Sequence, residues 1–130
     1  MADLAYTVNL DVGSGDGSCR LVTWDHLVAA SLTGTPFENP EFVDNCVQIV
    51  ANTAGGATCV IEGSNDGVIY GALFNAQGVA LSVTATAAPK QIVERPLWIR
   101  PRISGGNGSE DWTVTLLARR PVKGIRDRRD

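Results

Sequence analysis

The chain has few side chains of the kinds that carry out chemistry. Among its 130 residues there is one histidine, His26, there are three cysteines, and aromatic residues make up only 6%. A structural zinc site needs four ligands, mostly Cys and His, and these cysteines form no C-x-x-C pair, so we predict no metal site. Cys19, Cys46 and Cys59 are odd in number, and we expect them to be buried, unpaired thiols.

Long apolar runs are also missing. A membrane-spanning helix needs about 20 consecutive apolar residues, and no run in this chain approaches that length. The N-terminus lacks the basic and then apolar pattern of a secretion signal. We therefore expect a protein made and used in the cytosol, or in a particle assembled there, without a membrane partner.

What the sequence does contain is a succession of short strand-like segments. Apolar and polar residues alternate in them, and turns rich in Gly, Asn, Asp and Ser separate them. This spacing predicts an all-β fold, a single-domain antiparallel β-sandwich of about eight strands that is jelly-roll-like, rather than alternating strands and helices. We expect the sandwich domain to span residues 1–120, with Met1–Ala5 as an N-terminal arm, and residues 121–130 to form a basic tail.

Three glycine-containing stretches predict β-hairpins. They are Thr53–Gly56, Asn75–Gly78 and the GSNDG stretch Gly63–Gly67. In the last of these, Asn65 and Asp66 are expected to hydrogen-bond to their own backbone. Turn chemistry alone explains this stretch, so it predicts structure rather than a reactive site.

Helical patterns are scarce in this sequence. The segment WDHLVAASL, residues 24–32, predicts at most a helical turn or two, and residues 34–45 predict a loop. The strand-like segment LWIR is flanked by prolines, which predicts an edge position or trimmed ends because proline cannot donate to a ladder. On that strand Trp98 and Arg100 share a face, either as a binding platform or, as we favour, in packing.

Charge is distributed unevenly along the chain. Residues 119–130 contain six basic and two acidic residues, a net of +4, which leaves −7 for the other 118 residues of a chain with formal net charge −3. A basic tail on an acidic body predicts docking on an acidic partner, or else a solvated terminus. Direct nucleic-acid binding is disfavoured because the body would repel phosphate. The candidate partner-binding residues are Arg119, Arg120, Lys123, Arg126, Arg128 and Arg129.

Catalytic candidates are weak. His26 stands beside Asp25, and a Cys–His pair could form through space, but no nucleophile motif accompanies it. The glycine-rich stretch 11–19 fails as a dinucleotide fingerprint, since serine replaces the third glycine and no helix pattern follows. Glu62 and Glu94 end strand-like segments, and nothing places them in one cleft. We predict that the protein is not an enzyme and uses no cofactor.

Three stretches occur in a suggestive order. Gly55–Gly67 has the sequence GGATCVIEGSNDG, Glu94–Gly106 has ERPLWIRPRISGG, and Val114–Arg120 has VTLLARR. With the upstream VTWDHL and TGTPF, this order resembles a group of small tailed-bacteriophage virion proteins over about residues 21–120. One departure is SLTG at Ser31–Gly34, where that group has GDTG.

The resemblance implies a capsid cement, or decoration, protein with a β-sandwich or jelly-roll fold. Such a protein binds the outside of the shell made by the major capsid protein and clamps neighbouring subunits. The implied partners are therefore the major capsid protein and a second copy of the chain, as a homodimer or a trimer. The implied location is the capsid exterior, after assembly in the bacterial cytoplasm, which suits unpaired thiols.

Two other functions stay open on the sequence alone. A discoidin-like carbohydrate-binding module has a comparable hairpin followed by an arginine-containing strand, matched here by Ser64–Tyr70 and Leu97–Arg100. Such a module would read sugars with exposed aromatic side chains. A tail or baseplate component of the virion is the other alternative, and it differs from a cement protein in location.

Overall fold

Ten β-strands and no helix are formed by residues 3–10, 18–39 and 44–120, the residues described in this computed structural model. The strands are β1 (Thr7–Asn9), β2 (Cys19–Val28), β3 (Phe37–Glu38), β4 (Asp44–Thr53), β5 (Thr58–Ser64), β6 (Gly71–Ala72), β7 (Ser82–Val83), β8 (Ala87–Ile92), β9 (Trp98–Ser104) and β10 (Asp111–Arg119). The all-β prediction is confirmed, with ten strands instead of about eight. None of the described residues belongs to a helix that could cross a membrane.

The strands form two sheets in which every pair of neighbours is antiparallel. One sheet has the order β1-β2-β10-β4-β8, and the other has the order β3-β9-β5-β6, with β7 also paired to β5. From β2 to β5, and again from β8 to β10, each strand lies in the opposite sheet from the one before it. The two antiparallel sheets confirm the predicted β-sandwich.

The core lies between the two sheets, where alternate residues of each strand point inward. In β10 the buried residues are Trp112, Val114, Leu116 and Ala118. The facing sheet contributes the buried side chains Cys59, Ile61, Ile99 and Ile103. Burying one large apolar side chain contributes roughly 1.5–3 kcal/mol, so these inward rows explain why the sandwich forms without a disulfide.

The N-terminal segment packs on this core. The backbone N–H of Leu4 donates to Thr33 O at 2.9 Å, and Thr35 N–H donates to Leu4 O at 2.9 Å. The ring of Tyr6 makes edge contacts with Trp24 and Phe37, each with centroids 5.7 Å apart. Residues 4–6 are therefore held against the sandwich.

The predicted helical turn at residues 24–32 is wrong, because β2 continues through Val28. The pairing of β2 with β10 shifts by one residue there, so Asp25 and His26 together lie opposite Thr113. This β-bulge buries both Trp24 and Leu27, three residues apart. That spacing resembles the apolar repeat of a helix, which explains the error.

The predicted hairpin at Thr53–Gly56 is also wrong. The turn exists, and Gly55 and Gly56 have φ values of 59° and 73°, but β4 and β5 lie in different sheets. The turn connects a strand of one sheet to a strand of the other. Turn residues alone do not distinguish such a connection from a hairpin within one sheet. Residues 34–45, predicted as a loop, include the short strand β3.

The turn at Asn75–Gly78 is present, with an isolated bridge between Phe74 and Ala80. However, β6 and β7 do not pair with each other, since both pair with β5. Both short strands lie along the same side of β5, and the chain makes the turn at Asn75–Gly78 between them. The predicted hairpin at Asn75–Gly78 is therefore only a local turn, not a turn between two paired strands.

Strand β9 lies beside a very short edge strand. Its neighbour β3 covers only Trp98 and Ile99, and Thr33 adds one isolated bridge to Arg102. The predicted edge position is wrong, because β9 lies between β3 and β5. Pro101 does not end the strand either, since β9 continues to Ser104 and Pro101 lies opposite Ile61 of β5. On the other side Pro101 lies opposite no residue of β3, so no ladder bond to β3 is lost there.

The three cysteines are unpaired, as predicted. Only Cys59 is buried, whereas Cys19 and Cys46 are half-buried, because their β2 and β4 positions point to the outer side of the first sheet. Burial raises the pKa of the Cys59 thiol to about 12 and also raises the pKa of Cys46.

Candidate functional site

The loop after β5 is organised by one carboxylate. Oδ1 of Asp66 accepts hydrogen bonds from Ser64 Oγ at 2.8 Å, from Val68 N at 2.8 Å and from Ile69 N at 3.0 Å. The N–H groups of Ile69 and Val68, followed by the Ser64 hydroxyl, lower the pKa of Asp66 to about 2. The carboxylate is therefore charged at neutral pH, and it holds the backbone N–H groups of Val68 and Ile69 and the hydroxyl of Ser64.

This loop also rests on strand β9. Gly67 has φ 76°, and a Cβ atom there would lie 3.2 Å from Trp98 Nε1. The side-chain oxygen of Asn65 accepts a hydrogen bond from Leu97 N at 3.4 Å. The predicted hairpin is confirmed, since β5 and β6 pair through Glu62 and Ala72 and through the next pair along. Asp66 caps its own loop as expected, whereas Asn65 accepts a hydrogen bond from Leu97, the residue just before β9.

At the loop's tip two aliphatic side chains point into solvent. Val68 is 80% exposed and Ile69 is 76% exposed. Beside them lies an open groove of about 390 Å³, whose lining includes Ile69, Gly71, Ala72, Leu73, Arg95 and Pro96. We call these two residues the apolar tip and this depression the tip groove.

A charged network covers the outer side of the second sheet next to this loop. Glu62 is only 8% exposed in its side chain, and its two carboxylate oxygens bind Arg100 Nε at 3.0 Å and Arg102 Nε at 2.9 Å. The Arg100 guanidinium carbon lies 3.7 Å from the centre of the Tyr70 ring. Burial raises the pKa of Tyr70, with Arg100 opposing the shift.

These contacts bear on Trp98 and Arg100, which the sequence left open as a binding platform or as packing residues. Arg100 is engaged by Glu62 and Tyr70, and Trp98 packs against Gly67, so both are in packing contacts. Glu94 Oε1 accepts a hydrogen bond from Phe74 N at 2.9 Å. The bonds of Glu62 and Glu94 therefore go to different partners.

A second polar cluster surrounds His26 on the outer side of the first sheet. His26 is the one non-glycine residue with positive φ, 68°, among the described residues. Its Nδ1 lies 2.9 Å from Asp111 Oδ1, and its Nε2 lies 3.5 Å from Asp25 Oδ1. The hydrogen bond to Asp111, with the charges of Asp111 and Asp25, raises the pKa of His26.

The remaining groups of this cluster are amide and hydroxyl. Asn52 Nδ2 donates to Asp111 Oδ1 at 3.2 Å and to Thr113 Oγ1 at 2.9 Å, and Thr113 Oγ1 donates to Asp25 Oδ1 at 2.9 Å. Burial acts to raise the pKa of Asp111, but the hydrogen bonds from His26 and Asn52 outweigh it and lower the pKa. The arrangement is an ion-pair network that favours a protonated imidazole.

Neither cluster holds the arrangement of a metal site. Across residues 3–10, 18–39 and 44–120, no three His, Cys, Asp or Glu side chains come together in a way that could hold a metal ion.

The basic end of the chain begins at the far end of β10. Arg119 Nε lies 3.5 Å from Asp44 Oδ2, with both side chains about half exposed, and Arg120 N donates to Ser18 O at 3.0 Å. The other four predicted partner-binding residues, Lys123, Arg126, Arg128 and Arg129, lie outside the described residues, as does the glycine-rich stretch 11–17.

Sequence reasoning missed both side-chain networks. His26 and Asp111 come together because β2 and β10 are neighbours, and no local pattern indicates that. One signal was present: Arg100 and Arg102 are two residues apart on a strand, which places them on one side of the sheet. Their shared partner, Glu62 on β5, required the β5–β9 pairing.

The chain matches no protein-family model, no curated protein and no solved structure.

Proposed function

We propose that this protein is a bacteriophage virion structural protein, a capsid cement protein that binds the outer surface of the major capsid protein shell and stabilises it. One observation carries the proposal. The two longest stretches that resemble phage virion proteins, Gly55–Gly67 and Glu94–Gly106, lie side by side as β5 and β9, paired from Thr58 with Ser104 to Ser64 with Trp98. They build one surface that ends in the apolar tip.

The physical character of this surface supports binding rather than catalysis. The tip exposes large aliphatic side chains on a backbone that Asp66 holds fixed, and a fixed binding loop loses little conformational entropy when it docks. The groups bonded to His26 are carboxylates, and no thiol is among them. A cement protein present in many copies also gains from avidity, so each contact can be weak.

The basic end offers a second contact with an acidic shell surface. Exposed ion pairs contribute only ~0–1 kcal/mol each, and Arg119 is such a residue, with 49% of its side chain exposed. Six cations between Arg119 and Arg129 would act together, and their attraction would weaken as salt rises.

The discoidin-like alternative loses support from the positions of the tryptophans. Trp24 and Trp112 are buried, at 1% and 0% exposure, and their indole N–H groups donate to Thr35 O and Ala54 O. Trp98 alone of the three is partly exposed. A sugar-reading site built on several exposed tryptophans is therefore disfavoured.

Quantitative mass spectrometry of purified virions from the phage that encodes the chain tests the proposal. We expect a copy number comparable to that of the major capsid protein. A handful of copies would point to the tail or baseplate. Absence from the virion would overturn the proposal, and tryptophan fluorescence with added glycans would then test the sugar module.

Binding to shells that lack the protein tests the contact itself. We expect the intact chain to bind, and a chain without residues 121–130 that also has Arg119→Ala to bind more weakly, with a smaller dependence on salt. A chain with Lys90→Ala, which removes an exposed cation from β8, is the matched control and should bind like the intact chain.

A further inference from the structure

We infer that the apolar tip and the tip groove form a two-fold interface between two copies of this chain. The inference deepens the proposed function, because it names the surface through which the module would pair with itself. The inference is tested by self-association of the isolated protein. A negative result there can therefore be told apart from a negative result in binding to capsid shells.

The tip is built as a protruding anchor. Val68 and Ile69 are the two most exposed of the large apolar side chains in the described residues, at 80% and 76%. Asp66 accepts hydrogen bonds from both of their backbone N–H groups, and Gly67 lies against Trp98. An aliphatic pair on a fixed backbone is suited to fill a hollow in a partner.

The hollow beside the tip is open, and polar residues, Glu94 and Arg95 among them, line it together with small and apolar ones. Gly71 and Ala72 contribute little side-chain volume, and Leu73 and Pro96 contribute apolar walls. A Cβ atom built on Gly71 would meet nothing within 4 Å. The space above β6 is therefore free for a side chain that comes from outside the molecule.

Tip and groove are next to each other on one surface, and this makes the surface self-complementary. A two-fold axis between them places each Val68 in the other copy's groove, so that the same contact forms twice. The charges agree with this pairing. Asp66 lies at the base of the tip, and the groove is lined by Arg95 and also by Glu94, whose Oε1 accepts a hydrogen bond from Phe74 N. The two-fold axis brings Asp66 toward the exposed Arg95. The three bonds that hold the tip all end on Asp66 Oδ1, and Oδ2 takes none of them.

The experiment is sedimentation velocity of the full-length chain over a concentration series. We expect a dimer that dissociates on dilution. Val68→Ser with Ile69→Ser removes the tip, and Gly71→Val adds a side chain to the groove at a position where a Cβ atom meets nothing within 4 Å. Each change should weaken dimerisation about tenfold or more in Kd, as loss of a central apolar anchor does.

Val8→Ser is the matched control, because Val8 is also an exposed aliphatic residue, 40% exposed on β1 in the other sheet. It should leave the dimer unchanged, and thermal melting of every variant checks that the monomer still folds. Arg95→Glu should weaken the dimer, and this loss should be smaller at high salt.

A monomer at every concentration overturns the inference. A dimer that resists both the tip and the groove changes, or that is lost in Val8→Ser, also overturns it. If the chain is monomeric and the tip variant loses binding to capsid shells instead, the surface belongs to the shell contact, and the two-fold interface is wrong while the proposed function stands.

Discussion

The guanidinium carbon of Arg100 lies 3.7 Å from the centre of the Tyr70 ring, and Nε of the same side chain lies 3.0 Å from Glu62 Oε1. Arg100 thus joins the loop after β5 to the β5–β9 ladder. A cation over an aromatic ring contributes about 0.5–1 kcal/mol at an exposed site and more where water is excluded. The network stiffens the base from which the apolar tip projects.

Glu62→Gln should destabilise the protein by about 2 kcal/mol. The change removes the charge that two arginines share at a carboxylate only 8% exposed, and breaking a largely buried pair leaves the remaining charge poorly compensated. The partial exposure of Arg102 keeps the loss below that of a fully buried pair. Urea unfolding measures it, with Arg119→Ala as the control.

Arg119→Ala breaks an exposed pair with Asp44 at 3.5 Å and should cost less than about 0.5 kcal/mol. Equal losses in the two variants would contradict the assignment of a structural role to the Glu62 network.

Asp66→Ala should loosen the apolar tip without unfolding the sandwich. The amides of Val68 and Ile69 lose their acceptor and should exchange hydrogen about tenfold faster or more, because the loop opens locally more often. Hydrogen exchange followed by NMR measures this. Asp66→Asn keeps one acceptor oxygen, so its amide exchange rates should lie between those of the intact protein and those of Asp66→Ala.

The same carboxylate predicts a pH dependence. Its pKa in the folded protein is about 2, below the ordinary value of 3.8, so its contribution is present above pH 3.8 and is lost as pH falls through about 2. Fast exchange of both amides at neutral pH in the unmodified protein would contradict this account of the loop.

His26 should titrate above its ordinary pKa of 6.5, because Asp111 and Asp25 stabilise the imidazolium. Its folded-state pKa is raised, so the stabilisation is fully present below pH 6.5 and is lost as pH rises through the folded-state pKa. The chain has one histidine, so a single ring resonance in NMR reports the titration.

The melting-temperature difference between the intact protein and His26→Gln should therefore shrink as pH rises from acid to alkaline conditions. Asp111→Asn should return the His26 pKa toward its ordinary value. A pKa at or below 6.5 in the intact protein would show that the ion pair is not formed in solution.

Gly63→Ala and Gly71→Ala form a matched pair. A Cβ on Gly63 would lie 2.5 Å from Pro96 Cγ and 2.8 Å from Leu73 Cδ2, whereas one on Gly71 meets nothing within 4 Å. We expect Gly63→Ala to cost about 1–3 kcal/mol through overpacking and Gly71→Ala to be nearly neutral. Thermal unfolding compares them, and a neutral Gly63→Ala would mean that Pro96 moves aside easily.

The alternation of apolar residues was enough to predict the fold class, because the side-chain period of a strand is two and a sandwich buries one side of each sheet. The alternating stretch WTVTLLA in β10 shows this, since Trp112, Val114, Leu116 and Ala118 are all buried. The GSNDG turn was likewise local, since the side chains of Ser64 and Asp66 accept hydrogen bonds from the backbone N–H groups of residues 66–69.

Only the tertiary structure decided which strands are neighbours. The turns at Thr53–Gly56 and Gly63–Gly67 are both glycine-rich, yet one crosses between sheets and the other returns along the same sheet. That choice depends on which faces become buried together, and turn residues do not encode it. The same long-range pairing brings His26 to Asp111 and Glu62 to Arg100 and Arg102. The sequence by itself determined strands, turns and an unpaired-thiol sandwich, while the clusters and the tip groove arise from contacts between residues far apart in the chain.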